Sequence, residues 1–170
     1  MSYIRKKAIA GLKRGDSFAV SRAFTEQDTM AFADMSRDYN PVHFDDRFAE
    51  VKNFRGRICH GLLIASLLTE IGGQIGWLAS GMNFRFRKPV YFGDKIKCSF
   101  IITELDERNR AKAEAVFKNQ QDEIVLEAHL TGIIPGPLEQ RVMEAMVAEG
   151  DPTNKCRAAS SMMPKNGKHA

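Results

Sequence analysis

Two periodicities divide this chain. Near its start, Gly15-Asp16 signals a turn, and Ser17 to Phe24 reads as a short strand. Thr25 is a good helix N-cap. Asp28, three residues on, completes a capping-box pair with Asp in place of the usual Glu or Gln. The helix it opens carries Met30, Phe32, Ala33 and Met35. Polar residues then run from Ser36 to His43 across an Asn40-Pro41 break, which predicts a loop. Asp45 to Ala49 suits a short helical turn, and Asn53 to Arg57, polar and basic with Gly56, suits a further loop.

Residues 61–75 predict one long helix buried on most sides, through Leu62, Leu63, Ala65, Leu67, Ile71 and Ile75. Gly61, Gly72 and Gly73 let neighbours approach it, and Gly81 punctuates its end. Beyond it the period falls to two. Met82 to Arg87, Ile96 to Leu105, Ala111 to Asn119 and Ile124 to Ile134 predict strands, with turns at Gly93-Asp94, Asp106 to Asn109 and Gln120 to Glu123. A strand and helix, a loop, a central helix and then a meander make an α+β protein, with one helix packed against one antiparallel sheet. Pro135-Gly136-Pro137 closes that unit. Residues 138–149 predict an appended amphipathic helix with Leu138, Val142 and Met146 on its apolar face, followed by a mobile basic tail.

Charge changes the picture only at the ends. The chain carries 25 Lys and Arg against 21 Asp and Glu. The first 14 residues hold five basic groups and no acid, and residues 151–170 hold four basic groups and one acid, so the body between them is net acidic. A nucleic-acid binder wants a basic face on its folded body, so that class is not supported. The three cysteines, Cys59, Cys98 and Cys156, show no close pair, which excludes a zinc knuckle or redox motif and fits a reducing compartment. No secretory leader and no membrane-length apolar run is present, so the expected location is the cytoplasm. Glycine-rich nucleotide loops and the serine-hydrolase elbow are missing, and His43, His60, His129 and His169 lack metal-ligand spacing.

The remaining chemistry concentrates in two segments. Asp38 and His43 stand five apart in the Asn-Pro loop. A carboxylate and an imidazole are the usual acid–base partners near neutral pH, and Asn40 can hold such a turn by bonding backbone groups. The same residues also read as an ordinary turn with a surface histidine. His60-Gly61 enters the central helix, where an unpaired N–H can stabilise an oxyanion, although Gly61 can equally serve close packing and His60 structure. Ser66, on the helix, reads as bonded to a backbone carbonyl one turn back. Arg55, Arg57, Arg85, Arg87 and Lys88 form two basic clusters, which are either solvated or available to phosphates.

Together these segments resemble the MaoC-like, R-specific enoyl-CoA hydratase (hydratase 2) family of hotdog-fold proteins. The resemblance rests on Phe32 to Asp45 with Asp-x-Asn-Pro-x-His, on Ile58 to Ser66 with His-Gly, and on Phe84 to Asp94, and spans about residues 11–135. It implies a hotdog domain over 1–135, with 136–170 as a C-terminal extension, and a long helix wrapped by an antiparallel sheet that dimerises edge to edge. It implies an acyl-CoA substrate and no metal or cofactor. Asp38 and His43 match the family's catalytic pair, Gly61 the donor to the thioester oxygen, Ser66 a helix serine near the acyl site, and Asn40 a residue that orients the catalytic loop. Arg85, Arg87 and Lys88 are candidates for CoA phosphates, and Leu67, Ile71 and Trp77 for the acyl pocket. Two other readings stand beside the hydratase: an acyl-CoA thioesterase, for which Glu70 is the only helix carboxylate, and a non-catalytic acyl-CoA-binding protein. One departure is Arg37, where most members have Gly before the Asp. A positive φ there would strain an arginine.

Overall fold

The computed structural model describes residues 2–151. The basic tail with Cys156 and His169 lies outside the described residues. The element order is α1 (Tyr3–Ile9), β1 (Ser17–Ala23), α2 (Glu26–Ser36), a 3₁₀ turn (Pro41–His43), α3 (Asp46–Val51), α4 (Gly61–Ala65), α5 (Leu67–Ile75), β2 (Leu78–Phe86), β3 (Lys95–Leu105), β4 (Arg110–Lys118), β5 (Ile124–Ile133) and α6 (Pro137–Ala148). All five strands form one antiparallel sheet in the order β1-β3-β4-β5-β2.

Alternation builds the sheet's inner face, except at the start of β5, where the neighbours Val125 and Leu126 are both buried. Ile96, Cys98, Phe100 and Ile102 of β3, Ala111, Ala113, Ala115 and Phe117 of β4, and Val125, Leu126, Ala128 and Leu130 of β5 are buried. Small alanines on the middle strand leave room for a helix against the sheet. That helix is α5, whose Leu67, Leu68, Ile71 and Ile75 share one core with these strands. This is the hotdog arrangement.

The 61–75 segment is not one continuous helix. It breaks at Ser66, whose Oγ donates to the Leu63 carbonyl at 2.6 Å, and Ser66 joins α4 to α5. A serine hydroxyl that bonds back along a helix bends it. Gly76, not Gly81, ends α5: at φ 81° its N–H and that of Trp77 both reach the Gly72 carbonyl. Gly81 instead lies within β2 at an irregularity in its pairing with β5. A Cβ there would come 2.8 Å from Thr131 Oγ1.

Two terminal helices complete the body. The basic N-terminal run folds as α1, capped by Ser2. It packs on α5 and α6, and Arg5 donates to the Gly73 carbonyl and pairs with Asp151 at 3.6 Å. In α6 the contact face differs from the expected one. Met143 is buried, whereas Leu138 and Val142 are 70 and 60% exposed. No helix among the described residues is long and apolar enough to cross a membrane.

Candidate active site

The candidate acid–base loop begins where α2 stops. Thr25 and Asp28 close the expected capping box at its start. At its end Arg37 sits in the left-handed region, at φ 60° and ψ 24°, with its N–H on the Ala33 carbonyl. The strain anticipated for an arginine there is present. The turn delivers Asp38 to the solvent edge of a cavity, its carboxylate about half exposed. The backbone N–H of Asn40 reaches Asp38 Oδ1 at 3.3 Å, and Asn40 Oδ1 accepts from the Val42 N–H at 3.2 Å. Asn40 thus caps the 3₁₀ turn, and Pro41 occupies the position where no N–H is needed.

His43 closes that turn and is buried. Its Nδ1 donates to the Ile58 carbonyl at 2.8 Å, which assigns the tautomer and leaves Nε2 as a base. Burial pulls the His43 pKa below its ordinary value. The Ile58 carbonyl opposes this, the adjacent His60 adds to it, and the Asp38 charge opposes it. The ring is therefore a neutral acceptor near pH 7.

The second wall is the segment leading into α4. Ile58 bridges Tyr91, and the Cys59 N–H donates to the Val90 carbonyl at 2.8 Å. His60, 1% exposed, stacks on His43 with ring centroids 3.7 Å apart. Its Nε2 donates to the Asp38 backbone carbonyl at 2.9 Å. Gly61 begins α4 with no side-chain cap before it. A Cβ at Gly61 would fall 2.5 Å from Phe86, so only glycine lets that ring close the wall.

These segments enclose a cavity of about 650 Å³. Asp38, His43, His60 and Gly61 line it, with an apolar wall that includes Phe32, Phe54, Ile58, Ile64, Val90 and Leu126. An oxygen of Asp38 and one ring nitrogen each of His43 and His60 lie within 4.8 Å of one another. In each ring one nitrogen is bonded to a backbone carbonyl, His43 Nδ1 to Ile58 and His60 Nε2 to Asp38. Cys59 also lines the cavity, but burial pushes its thiol up to about 11, which leaves no thiolate nucleophile.

Not every candidate converges here. Ser66 is turned to Leu63 and does not line the cavity. Arg87 and Lys88 stand at its edge, held by Glu127 and Glu123 at 2.6 Å each, while Arg85 lies outside it. Glu70 is exposed on α5, away from the cavity. Leu67 and Ile71 belong to the core, and Trp77 packs on Phe100; none of the three lines the cavity, whose walls come from α2, α4 and the strand ends. Period-two and helical patterns mark Phe32, Ile64 and Leu126 as buried, but only the packing of α2 against α4 beside the sheet turns them towards a cavity.

The family described as MaoC like domain matches residues 11–124. A mitochondrial 3-hydroxyacyl-[acyl-carrier-protein] dehydratase of Arabidopsis thaliana is 32% identical over 130 residues, covering 73% of this chain and 78% of that protein. An (R)-specific enoyl-CoA hydratase of Aeromonas caviae is 35% identical over 100 residues, covering 56% of this chain and 75% of that one. Among solved structures, the (R)-hydratase of A. caviae superposes with a TM-score of 0.69 at 29% identity, over 74% of this chain and 98% of that chain. An unliganded (R)-hydratase of Pseudomonas aeruginosa gives 0.68 at 29%, over 75 and 84%.

Proposed function

The chain belongs to the MaoC-like domain family, and from that premise we propose that it is an R-specific enoyl-CoA hydratase. It adds water syn across a trans-2-enoyl-CoA to give (R)-3-hydroxyacyl-CoA, or runs the reverse dehydration. The observation that carries this reading is the convergence of Asp38 and a neutral His43 on one apolar cavity that Gly61 also lines.

In this mechanism His43 Nε2 takes a proton from a water that both side chains hold. The water oxygen bonds to Cβ, and the proton it gives up is relayed through the Asp38 carboxylate to Cα on the same face, which returns both side chains to their starting states. Charge that develops on the thioester oxygen is met by the Gly61 N–H, which among the described residues has no other acceptor. Asn40 orients the loop. Arg87 and Lys88 receive the CoA phosphates, which must first displace Glu127 and Glu123. The acyl chain lies along Phe32, Phe54, Ile58 and Leu126. Edge strand β2 has an unpaired side and exposes Leu78, Met82 and Phe86 by 46–70%, which supports pairing with a second copy.

The test is loss of the conjugated enoyl absorbance when purified protein meets crotonyl-CoA. Asp38→Asn and His43→Gln are each expected to lose about 10²- to 10⁴-fold in kcat while staying folded. Near-wild-type turnover in both variants refutes the assignment.

One second reading is favoured by a specific observation. The plant relative is named for an acyl-carrier-protein substrate, and the same chemistry serves a carrier-bound thioester, so crotonyl-carrier protein belongs beside crotonyl-CoA in the assay. The thioesterase has less support, since Glu70 faces away from the cavity. A pure binding protein has no use for the retained Asp38, Asn40 and His43 geometry.

A further inference from the structure

Resting on the hydratase reading, we infer that His60 is a positioning residue, which pins the backbone of Asp38 and braces the ring of His43. Asp38 needs such a fixture. It follows the strained Arg37, and its carboxylate is half exposed. Within the loop it is tied by its own N–H to Ser36 Oγ and by its Oδ1 to the Asn40 N–H, both at 3.3 Å. The bond from His60 Nε2 to its carbonyl is 2.9 Å and comes from 22 residues away. Among the described residues it is the shortest hydrogen bond to Asp38 and the only one from outside the loop.

The same ring holds the base. His60 stacks on His43 at 3.7 Å and 31°, and its ring also meets Phe32, at 5.1 Å, and Phe44, at 6.1 Å. His43 is thus fixed at one edge by Ile58 and on one face by His60, which leaves Nε2 as its free edge.

Packing alone does not account for a histidine here. At 1% exposure a phenylalanine would fill the same space without burying polar atoms. The imidazole has one nitrogen on Asp38, and its Nδ1 has no hydrogen-bond partner among the described residues. Leaving a buried acceptor unsatisfied costs about 1–3 kcal/mol. That cost is explained if the Nε2–H on Asp38 is what the site requires.

Two variants separate the roles. His60→Phe keeps the ring and the stack but removes the donor. His60→Gln keeps an N–H donor and removes the ring. The expected result is a kcat about 100-fold lower for His60→Phe with KM nearly unchanged, because small misplacements of reacting groups carry losses of that order. His60→Gln is expected to recover at least about tenfold of that loss. A residue that only packs gives the opposite order, with His60→Phe near wild type and His60→Gln impaired, and that order, or wild-type turnover in both, overturns the inference.

Long-range ¹H–¹⁵N spectra of the wild-type imidazoles provide a readout independent of activity and of variant folding. His60 is expected as the Nε2–H tautomer, and an Nδ1–H tautomer overturns the inference. If wild type hydrates no enoyl thioester on either carrier, the hydratase reading fails, while the tautomer still decides how His60 is bonded.

Discussion

Replacing Arg37 with glycine tests how the candidate catalytic loop is built. Arg37 occupies the left-handed region at the end of α2, with φ 60° and ψ 24°. It is exposed, and no hydrogen bond or ion pair of its side chain occurs among the described residues, so the substitution removes strain without removing a contact. A left-handed L-residue costs about 1–2 kcal/mol relative to glycine. The greater entropy of glycine in the unfolded chain returns about 0.4–1 kcal/mol. The net gain is about 0.5–1 kcal/mol. For a chain of this size each kcal/mol moves Tm by about 2–4 °C, so Arg37→Gly is expected to raise Tm by about 1–4 °C. The assay is differential scanning calorimetry of both proteins at one matched concentration, since any self-association makes Tm concentration-dependent. Arg37→Ala serves as control, because alanine keeps the strain and is expected to leave Tm near wild type. An unchanged or lowered Tm for Arg37→Gly refutes the strain argument.

Three further outcomes follow from individual contacts. Gly132→Ala would place a Cβ 2.1 Å from Trp77 Nε1 and 2.7 Å from the Leu78 carbonyl, so thermal unfolding should show a loss of about 1–3 kcal/mol; a neutral effect would mean the indole moves freely. Gly61→Ala drives a Cβ into the Phe86 ring, which is 55% exposed and swings aside; the protein should fold normally but show a raised KM for crotonyl-CoA, and an unaltered KM argues against Phe86 as a cavity wall. Because burial lowers the His43 pKa, the acid limb of kcat/KM should have its midpoint below about 6.5, the ordinary histidine value, and a midpoint above it contradicts a buried base. Stability follows the same sign: below about pH 6.5 the unfolded chain takes up the His43 proton more readily than the native one, so His43 contributes a loss of stability as pH falls through that range.

What was legible in the sequence was local. Thr25 and Asp28 form the capping box their spacing announces, and β3, β4 and β5 bury the alternating residues that period two selects. Asn40 caps its turn as an Asn before Pro-x does. What was not legible depends on contacts made from far along the chain. Ser66 is compatible with a continuous helix by propensity, and its bond back to Leu63 breaks the 61–75 stretch. Gly81 reads as punctuation because nothing in the sequence says that β5 will pair beside it and set Thr131 against it. The segment that folds as α1 is basic and weakly patterned, and it is ordered by Gly73 and Asp151, which stand far along the chain.

The candidate site divides along the same line. Asp-x-Asn-Pro-x-His gives the two chemical groups, but a five-residue spacing in a loop sets no distance between them. That distance is set by two carbonyl bonds across the fold, His43 to Ile58 and His60 to Asp38, and by the stack between the two rings. Each bond joins the 36–43 loop to the 58–60 segment, which is itself held by Val90 and Tyr91 beside the sheet. The reactive geometry is therefore a property of the junction between two segments and not of either motif. A substitution at Ile58 that shifts its carbonyl should move the base as effectively as a change in the 36–43 loop, although the Ile58 side chain takes no part in the acid–base chemistry.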